Sequence, residues 1–175
     1  MVLTLAPFQV TGRILDIPSE TDPIAASYSV RRVQSSYTGP CMRVRRDDAA
    51  EADIGFIGTE LDITSLRTFA GSNGNAWVVQ WYDQSGKGYH AQQSNWDLQP
   101  RIVINGDVVT DASNKQPTIR FDGRQYFDTT YEPTERDVTA SAIQTVANAG
   151  LDNSGFVQSG STYEFGRWAI DASVE

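Results

Sequence analysis

The chain has 175 residues, 39% of them hydrophobic and 21% charged, enough for one domain with a real core and too few for two. Its 22 acidic residues outnumber 14 basic ones, and the resulting formal charge of −8 repels phosphate backbones, which argues against a nucleic-acid partner. A single cysteine, Cys41, excludes an intrachain disulfide and reads as a small buried hydrophobe, while a single histidine, His90, excludes a histidine-rich zinc centre.

The start, Met1-Val2-Leu3-Thr4-Leu5-Ala6-Pro7, has no basic region before its short apolar run, unlike a secretory leader. No stretch approaches the ~20 apolar residues of a membrane span, so membrane insertion is not expected. The lack of cysteine pairs leans towards folding in a reducing cytoplasm.

Residues 1–24 carry Pro7, Pro18 and Pro23 and read as an extended arm with one strand at Gly12–Ile17, suited to packing on a neighbouring protein. Residues 25–175 read as one β-sandwich. Between Ala25 and Val33 the spacing of Tyr28 with Arg31 or Arg32 predicts a short helix, and Ser35–Pro40 a turn. Met42–Arg46 alternates apolar and charged residues, as a half-exposed strand does, and Asp47–Asp53 reads as a polar loop. Over Asp62–Ala70 the pattern is helical, with Asp62 as N-cap, Ile63, Leu66, Phe69 and Ala70 on one face, and Gly71 as the stop.

After the turn Ser72–Asn75, the run Ala76–Tyr82 is the strongest strand in the chain. If that strand is regular, Trp77 and Trp81 share a face and belong to the core. Asp83–Gly88 is a turn with two glycines expected at positive φ, and Tyr89–Gln93 continues as strand. Arg101–Ile104 and Asp107–Asp111 flank Asn105-Gly106, a type I′ hairpin signal. Pro117–Phe121, Val138–Val146, Gly155–Gln158 and Tyr163–Ile170 complete the strand-like runs. Short strands with Gly, Asn and Asp turns about every ten residues predict an all-β jelly-roll sandwich with one or two short helices.

Trp81-Tyr82-Asp83-Gln84-Ser85-Gly86-Lys87-Gly88-Tyr89-His90-Ala91-Gln92-Gln93 follows Ser35–Pro40, the Val44-Arg45-Arg46 strand and Asp53-Ile54-Gly55-Phe56. In this order these elements resemble the N-terminal half of the catalytic domain of family 54 α-L-arabinofuranosidases. They look still closer to a domain of phage tail-fibre and other virion proteins, where it opens a concanavalin A-like (laminin-G-like) sandwich. Gln99–Ile102 and Pro117–Gly123 also look like the virion group, so the resemblance spans about Ala25 to Gly123. It implies that sheets of this kind continue well past Gly123, and hence a chain that stops short of its natural end or borrows strands from a neighbour. The disulfide-forming cysteines of the enzymes are absent, and no residue matches their catalytic carboxylates; Tyr163-Glu164-Phe165-Gly166 lies near the right distance without aligning.

Among single residues, Asp83 reads as an Asx-turn that accepts the Ser85 N–H, with a calcium ligand or sugar contact as the sharper alternative. Trp96, in polar Ser94-Asn95-Trp96-Asp97, is the leading glycan-contact candidate, because an exposed aromatic ring can stack on the apolar face of a sugar. Its competing reading is a ring folded back onto the domain or packed on a neighbouring subunit. Tyr89 and His90 join it as candidates, although a lone histidine on a strand is more often a hydrogen-bonded structural residue. Arg31-Arg32 and Arg43-Val44-Arg45-Arg46 form a basic cluster expected to pair with local Asp and Glu, with an acidic glycan or a neighbouring subunit as the alternative partner.

The expectation from all of this is a non-enzymatic virion protein, a homo-oligomer joined to other virion proteins through residues 1–24, with a lectin-like domain that contacts surface glycans. It has no assigned catalytic residue, and calcium is its one candidate cofactor. An arabinofuranosidase-type hydrolase comes second and a ligand-free cement or scaffold protein third.

Overall fold

A computed structural model describes residues 26–130 except Ser113, together with the backbone of three later strands. The strands are β1 (Met42–Arg46), β2 (Glu51–Ile54), β3 (Phe56–Ile57), β4 (Glu60–Leu61), β5 (Ala76–Trp81), β6 (Ala91–Gln92), β7 (Arg101–Ile104), β8 (Asp107–Val108), β9 (Phe127–Thr129), β10 (Ser154–Phe156), β11 (Glu164–Phe165) and β12 (Trp168–Ile170). One α-helix, α1 (Ile63–Ala70), and a 3-10 turn at Trp96–Leu98 complete the described elements. The arm at 1–24 and the Val138–Val146 strand lie outside the described residues.

Eight strands form one antiparallel sheet in the order β11-β9-β6-β5-β1-β2, with β7 pairing both β5 and β8. The β-branched and aromatic strand β5 is its centre: β1 lies along one edge, while β6 and β7 divide the other. The fold is therefore all-β and sandwich-like with one short helix, as the alternating pattern predicts.

Asp62 caps α1 by accepting the Ser65 N–H at 2.9 Å, and Gly71 ends it at φ 83°. Leu66 and Ala70 on its buried face join Met42, Val44, Ile54, Val78, Ile102 and Phe127 in the core. Burial of a side chain such as Leu66 or Phe127 contributes roughly 1.5–3 kcal/mol. An aromatic row, Tyr28–Trp81–Phe127–Phe121, extends this core with ring separations of 5.9, 6.4 and 5.7 Å. At the β7–β8 turn, Asn105 and Gly106 adopt φ 51° and 83°, and a Cβ on Gly106 would come within 2.1 Å of the Ser72 carbonyl oxygen.

Three expectations need correction. Residues 26–33 are not helical, because their backbone groups bond outward instead of along a helix. Ser27 N–H donates to Asp83, Gln84 N–H to Ser27, and Arg32 N–H to Thr59. The Asp47–Asp53 loop is shorter than expected, since Ala49 turns at φ 68° and Glu51–Ile54 pairs with β1 as a hairpin.

The third correction concerns the tryptophans. Against β1, Trp77 pairs with Arg45, Val78 with Val44, Gln80 with Arg43 and Trp81 with Met42, leaving Val79 without a partner. This β-bulge reverses the alternation of side chains, so Trp81 faces the core with Met42 while Trp77 faces the opposite side with Arg45.

Candidate functional site on the polar face of the sheet

The side of the sheet away from the core is polar. On it, β1 presents Arg43 and Arg45, whose neighbours across the sheet are Asp53 and Glu51 on β2 and Gln80 and Trp77 on β5. Gln92 lies beside Gln80, and Asp128 beside Gln92.

At one end of this strip Arg43 grips Asp53 with two hydrogen bonds of 2.8 and 3.0 Å, and the Tyr82 hydroxyl donates to the same carboxylate at 2.9 Å. The Arg43 bond and the Tyr82 bond hold the Asp53 carboxyl below the usual aspartate range, outweighing its partial burial. His90 meets the Tyr82 ring edge-on at 5.0 Å, and its Nδ1 accepts the Asp83 N–H at 3.1 Å.

At the other end lies Arg45, a guanidinium that is only 5% exposed yet has no carboxylate partner among the described residues. Its Cζ lies 4.6 Å from the centre of the Trp77 ring and 4.3 Å from that of Trp96, so both rings supply π faces to the charge. Nε donates to Gln99 Oε1 at 2.9 Å and Nη1 to the Arg46 carbonyl at 3.2 Å. Burial lowers the Arg45 pKa from its ordinary value, an effect that nearby Asp47 and Glu51 oppose.

Buried glutamines fasten this end to the sheet. Gln99 Nε2 donates to the Gln93 carbonyl at 2.8 Å, and Gln93 Oε1 accepts the Asn95 N–H at 2.9 Å. Asn95 then caps the 3-10 turn that carries Trp96. Trp96 itself remains 53% exposed.

Asp83 serves a different purpose. Its Oδ1 accepts from the Ser27 and Ser85 N–H groups, both at 2.8 Å, and its Oδ2 from the Ser85 hydroxyl at 2.7 Å and the Tyr89 N–H at 3.2 Å. The expected turn bond is thus present, within a larger clamp. A carboxylate has about four lone-pair positions, and four protein donors occupy them, which leaves none for calcium. Gln84, completely buried, continues the clamp: Oε1 accepts the Val33 N–H, and Nε2 donates to the carbonyls of Ser29 and Arg31. The Tyr-Asp-Gln-Ser-Gly run is therefore a fastening that ties residues 26–33 to the sheet.

Tyr89 belongs to the same loop, its carbonyl accepting from the Tyr28 hydroxyl. Asp83, Tyr89 and His90 are thus brought together, and Trp96 stands apart from them on Arg45. Cys41 is fully buried, and burial pushes its thiol pKa far up. Arg31, Arg43 and Arg46 pair with Glu60, Asp53 and Asp48 as expected of the basic cluster. Arg45 does not, and sequence reasoning missed it together with Gln84, Gln93 and Gln99.

No protein-family model matches the chain, and no curated protein does. Among solved structures, a family 54 α-L-arabinofuranosidase soaked with a cyclic sulfate inhibitor matches at a TM-score of 0.50 and 23% identity, over 63% of this chain and 26% of that one. An arabinofuranosidase complexed with arabinofuranosyl-α-1,2-xylobiose matches at 0.50 and 22%, with the same coverage. A Glu→Gln mutant of a family 54 enzyme soaked with 4-nitrophenyl α-L-arabinofuranoside gives 0.52 and 23%, over 66% and 27%. The chain spans about a quarter of the length of these structures. All three neighbours are glycoside hydrolases, which corrects the expectation of a non-enzymatic module and lends nothing to the virion resemblance. What this chain shares with them is the fold: an antiparallel β-sandwich framework found in family 54 arabinofuranosidases.

Proposed function

We propose that the chain forms the glycan-facing framework of a glycoside hydrolase of arabinofuranosidase type. The observation that carries this reading is the fold match over about two thirds of the chain to such enzymes, in a molecule whose sheet presents a mainly polar face bearing Trp77 beside Arg45. Hydrolysis of a glycosidic bond uses two carboxyl groups ~5 to 10 Å apart, one of them retaining its proton near neutral pH. Asp48, Asp53, Glu60 and Asp62 are all held below the ordinary carboxylate range, the first three chiefly by Arg46, Arg43 and Arg31 and the last by Ser65. These four serve ion pairs and a helix cap, and none suits the proton-donating role. The reading accordingly takes the polar sheet face as the wall of the site and assigns the reaction to carboxyl groups other than these four.

The test uses 4-nitrophenyl α-L-arabinofuranoside with the purified chain. Nitrophenolate release, or saturable ligand-induced shifts in tryptophan side-chain resonances, supports the reading. A cooperatively folded chain that shows neither overturns it. Incorporation into a virion through residues 1–24 is a separate proposal resting on the sequence resemblance, and proteomics of purified particles tests it.

A further inference from the structure

We propose that the outward face of Trp96 is a stacking platform for a neutral sugar ring, oriented by the Arg45 guanidinium beneath it. The inference rests on the carbohydrate-acting reading above and assigns it a contact residue on the polar sheet face.

The first observation is exposure. Trp96 and Ile57 are the exposed large hydrophobics among the described residues, and for Trp96 the exposed fraction is 53% although one side of the ring covers Arg45. A tryptophan free to fold away would bury its indole, which is among the largest apolar surfaces a side chain offers.

Mounting is the second. The ring stands on a 3-10 turn held by Asn95, Gln93 and Gln99, and Gln93 and Gln99 are themselves buried. Gln99 also holds Arg45, so one hydrogen-bonded network fixes both the charge and the ring above it. A contact group fixed before binding loses little freedom on binding, which is the arrangement a weak, stacking-based site needs.

The third is the character of the surroundings. Gln92, Ser94, Asn95 and Asp97 are all exposed and polar. A lone aromatic ring in such a rim matches a sugar, which presents one C–H face and a border of hydroxyls. A protein partner would instead call for a contiguous apolar patch of a few hundred Å². Asp97 on the same turn, with Asp47 and Glu51 near Arg45, makes the locality acidic. Uronates and sialylated chains would be repelled, so the ligand is an uncharged glycan.

Affinity electrophoresis tests this, with the parent, Trp96→Ala and Trp96→Phe run through gels containing arabinoxylan or polygalacturonate. Hydrolysis of 4-nitrophenyl α-L-arabinofuranoside by the parent is measured alongside. The expected result is an arabinoxylan affinity about tenfold weaker for Trp96→Ala and within about threefold of the parent for Trp96→Phe. Polygalacturonate should retard none of the three. Equal retardation of parent and Trp96→Ala in arabinoxylan overturns the inference, as does equal affinity for the two polymers. So does a Trp96→Ala variant that converts an oligomer to a monomer by light scattering while its glycan affinity stays unchanged. A parent that hydrolyses the aryl glycoside but binds arabinoxylan independently of Trp96 removes this inference and leaves the hydrolase reading standing. A folded parent that neither hydrolyses nor binds removes both.

Discussion

Replacing Gln84 by Ala should detach residues 26–33 from the sheet. The amide makes three hydrogen bonds to that segment, at 2.9 Å from the Val33 N–H and at 2.8 and 2.9 Å to the carbonyls of Ser29 and Arg31. Each backbone group left without its partner costs ~1 to 3 kcal/mol if it stays buried. The segment is only half-buried, so the lower bound applies and the loss is about 3 kcal/mol, a large part of the margin of an ordinary domain. Urea unfolding followed by tryptophan fluorescence measures it, and trypsin should cut faster after Arg31 and Arg32. Gln84→Glu sharpens the test, because it keeps the size but sets a carboxylate against two carbonyls. Burial raises the folded-state pKa of that glutamate above its unfolded value near 4.3. The variant should therefore approach the parent below about pH 4 and fall away from it as the pH rises towards 7. Stabilities of both variants within about 0.5 kcal/mol of the parent at pH 7 would refute the clamp.

The two tryptophans should separate in a melting experiment. Trp81→Ala removes a ring packed between Tyr28 and Phe127 and should cost ~3 to 5 kcal/mol, whereas Trp96→Ala removes one π face from Arg45 and should cost only about 0.5 to 2 kcal/mol; the reverse order would show the rings wrongly assigned. The Arg43–Asp53–Tyr82 group sets an acid limit. Because Arg43 depresses the folded-state pKa of Asp53, its contribution is present above the ordinary aspartate value of 3.8 and lost as the pH falls through and below it. The pair is half-exposed, so Asp53→Asn should remove no more than about 1 kcal/mol of stability at pH 7 and less than that at pH 2, a difference that urea titrations at the two pH values can read.

The parts of the fold that were legible in the sequence are those with local causes. Asp62 and Gly71 bracket α1 through bonds within a few residues, and Asn105-Gly106 closes its hairpin through its own φ angles. Residues 26–33 were misread because their bonding partners lie more than 50 positions away, at Asp83 and Gln84. β2 looked like loop because its alternation, Glu51 and Asp53 outward against Ile54 inward, is short and belongs to an edge strand. At the candidate site, Trp96 stood out by its polar company. Arg45 did not, since an arginine in an alternating strand predicts a solvated side chain, and only the two rings reaching it from β5 and the 3-10 turn explain its burial.

The unpaired residue at Val79 has an evolutionary consequence. On its N-terminal side the even-numbered residues Ala76 and Val78 point inward and Trp77 outward; on its C-terminal side the parity inverts, with Gln80 outward and Trp81 inward. Loss of one residue here would force every position on one half of β5 to trade interior for surface, together with its neighbours on β6 or β7. Such a deletion could survive only with several simultaneous replacements, so the extra residue is locked in by the composition of the strand on either side of it. A saturation scan along 76–81 should display this as a period-two tolerance profile whose phase slips by one at Val79. Ungapped sequence comparison across this strand would accordingly match core positions of one chain to surface positions of another that lacks the slip.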